Sequence, residues 1–427
     1  MSKKVVNENP KISVIGAGYV GLPLIVALSD HFEVTGFDIN EERISELKRG
    51  IDSTNELNDE ELKKLSRINF CNEETDLRHS DVYICCVPTP VDASNTPNFQ
   101  PLKEASISIA KNLTEGNLVI YESTVYPGAT EELCKTILET ETGYLLNDDF
   151  FIGYSPERIN PGDETRRIQD ITKIVSASNE ISLDWMYYIY SKIIKAGVYK
   201  TSSIKVAEAA KVIENIQRDL NIGLVNELSV IFENIGIDTE EVLDAASTKW
   251  NFHRYQPGLV GGHCIGVDPY YLTHKSIELG YSPELILSAR KINENVSTRV
   301  ALKAIEVLGN KVHEINKAKV IILGATFKEN CPDTRNSKVF DLYKYLVAEG
   351  IEVEIYDPIV SLKEQNLHEF KQVNELAENN YDLAILAVPH DKIVNLGLNR
   401  LKNILKEESS FFDLKSFFNK SESDFRL

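Results

Sequence analysis

Cys264 stands in the run Gly261-Gly262-His263-Cys264-Ile265-Gly266-Val267-Asp268-Pro269, a thiol surrounded by glycines with a carboxylate four residues downstream. A thiol with a pKa near about 8.5 attacks carbonyl carbon well only where cations or amide dipoles favour its thiolate, so a cation is expected nearby, and a polar glycine loop is a poor place for a buried structural thiol. A second constellation opens the chain: Gly16-Ala17-Gly18-Tyr19-Val20-Gly21 follows an apolar run and precedes Asp38 at the end of the next one. In such a turn Gly16 permits the tight bend, Gly18 lets the backbone approach a pyrophosphate, and Gly21 lets helix and strand pack closely. Asp38 would accept hydrogen bonds from adenosine ribose hydroxyls and repel a 2′-phosphate, which favours NAD over NADP. A hydride acceptor and a nucleophilic sulfur in one chain predict an oxidation that passes through a covalent intermediate.

A third set lies on a predicted helix over residues 203–236. Lys211 and Asn215 are four residues apart and share one face, with Glu208 and Arg218 continuing the stripe. Flanking Val206, Ala207, Ala210, Ile213 and Ile216 predict that much of this helix is buried. A Lys ammonium and an Asn amide aimed at one point would stabilise the oxyanion formed when a thiol attacks an aldehyde, the bland alternative being an ion-paired interdomain helix. Thr124, in Glu122-Ser123-Thr124-Val125-Tyr126-Pro127-Gly128, is a candidate for holding a water or the nicotinamide side. Glu157, in Tyr154-Ser155-Pro156-Glu157-Arg158, is a candidate base for thioester hydrolysis, and Asp268 for removing the substrate hydroxyl proton through water. His263 adjoins Cys264, but adjacent side chains seldom face each other, and its expected role is structural.

These residues need a scaffold of strands and helices, and the chain supplies it. Residues 11–38 read as strand, glycine turn, helix and strand, the opening of a doubly wound sheet. Apolar runs at 82–87, 118–121 and 152–154 continue it. Residues 319–323 and 352–357 repeat the opening near the end of the chain, with Gly324-Ala325-Thr326-Phe327-Lys328-Glu329 and Arg335 in place of the glycine turn. There glycines have been traded for cations, as suits a diphosphate, unless Lys328 and Arg335 are merely solvated loop charges. At 427 residues the expected division is 1–200, 201–316 and 317–427.

The net charge of −19 argues against a sequence-independent grip on nucleic acid. No apolar stretch reaches the roughly 18 residues of a membrane span, and residues 1–10 lack a signal-peptide core, so the expected location is the cytoplasm. The six cysteines show no C-x-x-C and no metal-ligand spacing; neither a zinc site nor a disulfide framework is expected. Cys85 and Cys86, within an apolar run, read as core residues.

The glycine loop, Val87-Pro88-Thr89-Pro90, the segments around Thr124 and Glu157, the Lys211 helix, Gly-Gly-His-Cys-Ile-Gly-Val-Asp-Pro-Tyr-Tyr at 261–271 and Phe327-Lys328 together resemble the UDP-sugar 6-dehydrogenases over nearly the whole chain. Tyr-Ser-Pro-Glu-Arg-Ile-Asn-Pro-Gly at 154–162 and Gln-Pro-Gly-Leu-Val-Gly-Gly at 256–262 are most similar to the branch acting on UDP-N-acetylglucosamine or UDP-N-acetylgalactosamine in capsule and O-antigen pathways. The resemblance implies an α/β chain with an N-terminal Rossmann NAD domain, a central helical domain with a long connecting helix, and a C-terminal Rossmann-like UDP-binding domain. It further implies a four-electron oxidation of a sugar C6 alcohol with two NAD, through a thiohemiacetal and a thioester on Cys264.

By the same resemblance Lys211 and Asn215 match the oxyanion pair, and Thr124, Glu157 and Asp268 the water- and proton-handling positions. Tyr19, Val20, Asp38, Thr89, Thr124 and Arg335 match NAD contacts. Substrate contacts map onto Arg158, Ile159, Arg218, Gly261, Phe327, Lys328, Arg254, Tyr255 and Lys415, and the family implies a homodimer. Two other functions stay open at this point: a two-electron hydroxyacid dehydrogenase, which would not need Cys264, and a non-catalytic NAD-binding sensor. The sugar configuration is also open, with plain UDP-glucose and UDP-N-acetylmannosamine among the alternatives.

Overall fold

The computed structural model describes residues 7–92, 94–159, 166–312 and 314–427. The chain forms two compact units, one of residues 1–214 with 270–281, the other of residues 215–269 with 282–427.

The first unit is built on an eight-stranded sheet ordered β3-β2-β1-β4-β5-β6-β7-β8. Its strands are β1 (Lys11–Ile15), β2 (Glu33–Phe37), β3 (Asn69–Cys71), β4 (Val82–Cys85), β5 (Leu118–Tyr121), β6 (Phe151–Tyr154), β7 (Lys173–Ala177) and β8 (Val198–Lys200). All pairings are parallel except β6 with β7. The runs VYIC and LVIY in β4 and β5 are buried at every residue, as strands covered on both faces must be. The order reverses between β1 and β4, so that the turns after these strands open onto one crevice, where α/β sheets bind ligands.

The second unit holds a five-stranded parallel sheet ordered β11-β10-β9-β12-β13, from β9 (Lys319–Leu323), β10 (Glu352–Tyr356), β11 (Gln372–Val373), β12 (Tyr381–Leu386) and β13 (Leu405–Asp413). Helices Val296–Lys311 and Lys338–Ala348 cover one face through Val300, Ala304, Leu308, Leu342 and Leu346.

The long helix runs Ile204–Ile235, within a residue or two of the predicted span. Its burial matches expectation at Ala207 and Ile216 and differs at Val206 and Ile213. Glu208, Lys211, Asn215, Asp219 and Asn226 are buried, whereas Val206 (47%) and Ile213 (54%) are exposed. At about 100° per residue these sets fall on opposite sides, so this helix buries a polar face and offers an apolar one to solvent. Buried polar groups persist only when hydrogen-bonded. Glu208 meets that condition by accepting backbone N–H bonds from Gly128 and Thr130.

Burial pushes the Glu208 carboxyl up to about 7, against the lowering pull of those amides. A carboxyl raised on folding contributes stability that is complete below the ordinary glutamate value and lost as pH rises through the folded one. Thermal stability followed between about pH 4.5 and pH 7 should therefore fall less steeply with rising pH in Glu208→Gln than in the parent; equal slopes would remove Glu208 from this role. Among the described residues no helix is long and apolar enough to cross a membrane.

Candidate active site

In the first unit, β1 delivers Gly16 at φ +98°, and a Cβ there would lie 2.8 Å from the Cys86 carbonyl oxygen. A Cβ on Gly21 would lie 1.8 Å from the Gly16 oxygen, so only glycine lets the helix Gly21–Leu28 start against this turn. At Gly18 the space around a Cβ is open. That helix has no side-chain cap at Val20 and no acid in its first turn, which leaves its positive end suited to an anion. These features fit the pyrophosphate of NAD.

Asp38 accepts a 2.9 Å bond from the Ala17 amide through Oδ2 and another from Asn40 through Oδ1, so it shapes the turn. Sequence reading missed Arg43, buried beside it, which donates to the Ala17 carbonyl and pairs with Asp52 at 2.9 Å. Asp38→Ala should lower the NAD-to-NADP ratio of kcat/KM about tenfold, since a hydrogen bond to a charged acceptor contributes on that scale. An unchanged ratio would contradict the assignment.

Thr89 and Thr124 come together at the ends of β4 and β5: the Thr89 hydroxyl donates to the Thr124 carbonyl at 2.7 Å. The Tyr271 hydroxyl donates to the Thr89 carbonyl at 2.5 Å, and Ser123 to Val87 at 2.6 Å. Glu157 is buried and accepts from the amides of Arg158 and Ile159. Its other oxygen lies 3.5 Å from the ammonium of Lys173, which is itself 2.8 Å from Glu122. The Tyr190 hydroxyl completes the cluster by donating to Glu122. Burial pushes the Glu122 carboxyl up against the pull of Lys173; burial pulls Lys173 down, but its carboxylate neighbours outweigh this and hold it above its ordinary value. Lys173 carries no motif, and only its place on a strand beside Glu157 reveals it. Arg158 forks onto Glu214, at 2.8 Å from NH2 and 3.3 Å from Nε. Asn160, Pro161 and Gly162 of the quoted phrase lie outside the described residues.

In the second unit the Cys264 loop is held from several sides. Asn226 exchanges two bonds with Gly258, of 2.8 and 3.1 Å, and Asn336 donates to the Gly262 carbonyl at 3.2 Å. Gly262 has φ +83°, and side chains at 261 or 262 would meet Asn336 or the Phe327 ring at 2.7 and 2.8 Å. Phe327, Gly261 and Lys415 line one small cleft with Leu259, Ser337 and Val388. Cys264 is partly exposed, and its carbonyl accepts the amides of Val267 and Asp268, at 3.1 and 2.8 Å, as the helix Asp268–Glu278 begins. The Asp268 carboxylate, 2% exposed, accepts from the Asn215 amide at 2.5 Å, and Asn215 in turn accepts from Arg218 at 3.2 Å. One Asn215 N–H is thereby fixed and the second is left to aim elsewhere.

His263 lies edge-on to Phe327, with Nδ1 3.7 Å from Asp333, in keeping with a structural role. Arg335 forks onto Asp333 with Nε at 3.0 Å from both oxygens. Arg254 pairs with Glu240 and, at 2.8 Å, with Asp244; Tyr255 is half-buried beside it. Three other thiols are disfavoured as nucleophiles: burial pushes Cys71 up to about 11, Cys85 to about 12, and Cys134 further.

Residues 10–194 match the model for the NAD-binding domain of the UDP-glucose/GDP-mannose dehydrogenase family, residues 205–295 its central domain, and residues 321–420 its UDP-binding domain. A UDP-N-acetyl-D-glucosamine 6-dehydrogenase of Pseudomonas aeruginosa is 50% identical over 98% of this chain and 99% of its own. One from Salmonella typhi is 47% identical over 98% and 99%. Among solved structures, a UDP-D-ManNAc dehydrogenase from Pyrococcus horikoshii aligns with a TM-score of 0.85 at 28% identity, covering 96% of each chain.

Proposed function

Because the chain belongs to the UDP-glucose/GDP-mannose dehydrogenase family, we propose that it oxidises C6 of a UDP-N-acetylhexosamine, with UDP-N-acetylglucosamine its substrate, from alcohol to carboxylate. The product would be a nucleotide-activated uronic acid, a precursor for surface polysaccharide made in the cytoplasm. The observation that carries this reading is the Cys264 loop: a partly exposed thiol whose own carbonyl starts the helix that carries Asp268, with Asp268 bonded to Asn215. A two-electron dehydrogenase has no use for that sulfur.

NAD, held on the Gly16–Gly21 turn, supplies the hydride acceptor. Asp268 takes the C6 hydroxyl proton through a water. The Cys264 sulfur then forms a bond to the aldehyde carbon, and the resulting oxyanion is stabilised by the Lys211 ammonium and the free N–H of Asn215. After the second oxidation the thioester carbon is attacked by water, Glu157 taking its proton; the C–S bond breaks and the thiol is restored. Overall one alcohol, one water and two NAD+ yield one carboxylate, two NADH and three protons. Arg158, Ile159, Arg218, Phe327, Lys328 and Lys415 are assigned to the substrate, Tyr19, Val20, Thr89 and Arg335 to NAD. Residues 1–200 would serve the cofactor, 201–316 catalysis and 317–427 the UDP.

A homodimer belongs to the same proposal. Leu224 (53%), Ile231 (44%) and Ile235 (64%) make one exposed apolar stripe on the long helix, and Trp250 is 92% exposed. Such a face is suited to a second copy. NADH release on a panel of UDP-sugars, with product mass, tests the reading: UDP-N-acetylglucosamine should give two NADH and a carboxylate. One NADH per sugar would overturn it.

A further inference from the structure

The turn after β9 repeats the turn after β1 bond for bond. Gly16 donates to the Phe37 carbonyl at 2.8 Å, and Gly324 to that of Tyr356 at 2.9 Å. The Ala17 amide donates to Asp38 at 2.9 Å, and the Ala325 amide to Asp357 at 2.7 Å. Asn40 returns to the first acid at 2.9 Å, Ile359 to the second at 2.8 Å. Ile15 pairs with Cys85 and Leu323 with Leu386, so Val87-Pro88-Thr89 and Val388-Pro389-His390 occupy matching places after their strands.

The two crevices differ at two matched positions. Gly18, with open space around it, becomes Thr326, fully buried. Half-buried Thr89 becomes His390, fully buried. The Nε2 of His390 lies 3.1 Å from Asp357 and 3.2 Å from the Thr326 hydroxyl, while Nδ1 accepts the Asn330 amide at 2.9 Å. An acceptor at Nδ1 fixes the neutral tautomer with its proton on Nε2, facing the carboxylate. His390 thus gives Asp357 the hydrogen bond that a ribose hydroxyl would give Asp38. Through Asn330 it also ties down the far end of the turn that carries Phe327 and Lys328.

We propose that His390 is a positioning and specificity residue: it fills the second crevice against a dinucleotide and locks the Thr326–Asn330 turn into the shape that receives a uridine diphosphate. This rests on the UDP-sugar reading above.

The test is calorimetric binding of UDP alone, and of NAD alone, to the parent chain, His390→Leu and His390→Gln. Gln keeps an N–H for Asp357, whereas Leu removes the side-chain donor and leaves that buried carboxylate only its backbone amides. His390→Leu should bind UDP about tenfold or more weakly with NAD affinity unchanged, and His390→Gln should recover most of the UDP affinity. Unaltered UDP affinity in His390→Leu, a parallel loss of NAD and UDP, or failure of Gln to rescue would each overturn the proposal. A parent chain that does not bind UDP at all would instead sink the UDP-sugar reading.

Discussion

Cys264→Ser is expected to lower kcat by about a thousandfold or more while NAD affinity and unfolding temperature stay at parental values. The reaction needs a nucleophile that is partly ionised near neutrality and a leaving group that water can displace, and a serine hydroxyl in the same place is neither. Loss of a group used only after binding appears in kcat rather than in ligand affinity. The loop itself should tolerate the change, because its shape comes from Asn226, Asn336 and the packing of Phe327 against Gly261 and Gly262, none of which involves the sulfur. Stopped-flow NADH absorbance with a parallel NAD titration measures both quantities. A variant within tenfold of the parent would show that Cys264 is not the nucleophile.

The second large effect is on stability. Lys173→Met should destabilise the NAD-binding unit by about 3–5 kcal/mol, the cost of leaving a buried charge without its partner. Glu122 is 1% exposed and Glu157 8%, so removing the ammonium leaves two carboxyls facing each other away from water. Adding Glu122→Gln should return a large part of the loss, because the remaining pair then carries one charge fewer. Urea unfolding followed by circular dichroism gives all three values. A Lys173→Met loss below about 1 kcal/mol, on the scale of an exposed ion pair, would contradict the buried-cluster account.

Much of this molecule is readable from residue order. β1, β5, β9 and the long helix end within a residue or two of the apolar patterns that predict them, because their faces are set by local periodicity. Gly16, Gly21 and Asp38 are readable because each answers a backbone requirement at a fixed offset. Lys173, Arg43, Asn226 and His390 are not, because they become informative only when strands distant in sequence place them against Glu157, Ala17, Gly258 and Asp357. The exposed side of the long helix is not legible either: apolar residues at helical spacing predict a covered face, yet Val206 and Ile213 are exposed.

The proposed oxidation turns on a covalent bond between Cys264 and the half-oxidised C6 carbon. The direct measurement is acid quenching of the enzyme during turnover of UDP-N-acetylglucosamine and NAD, then peptide mass mapping of the segment containing Cys264. A sugar-nucleotide adduct on Cys264, absent in Cys264→Ser and absent without NAD, is the predicted result. An unmodified Cys264 at every quench time, with two NADH still released per sugar, would contradict it.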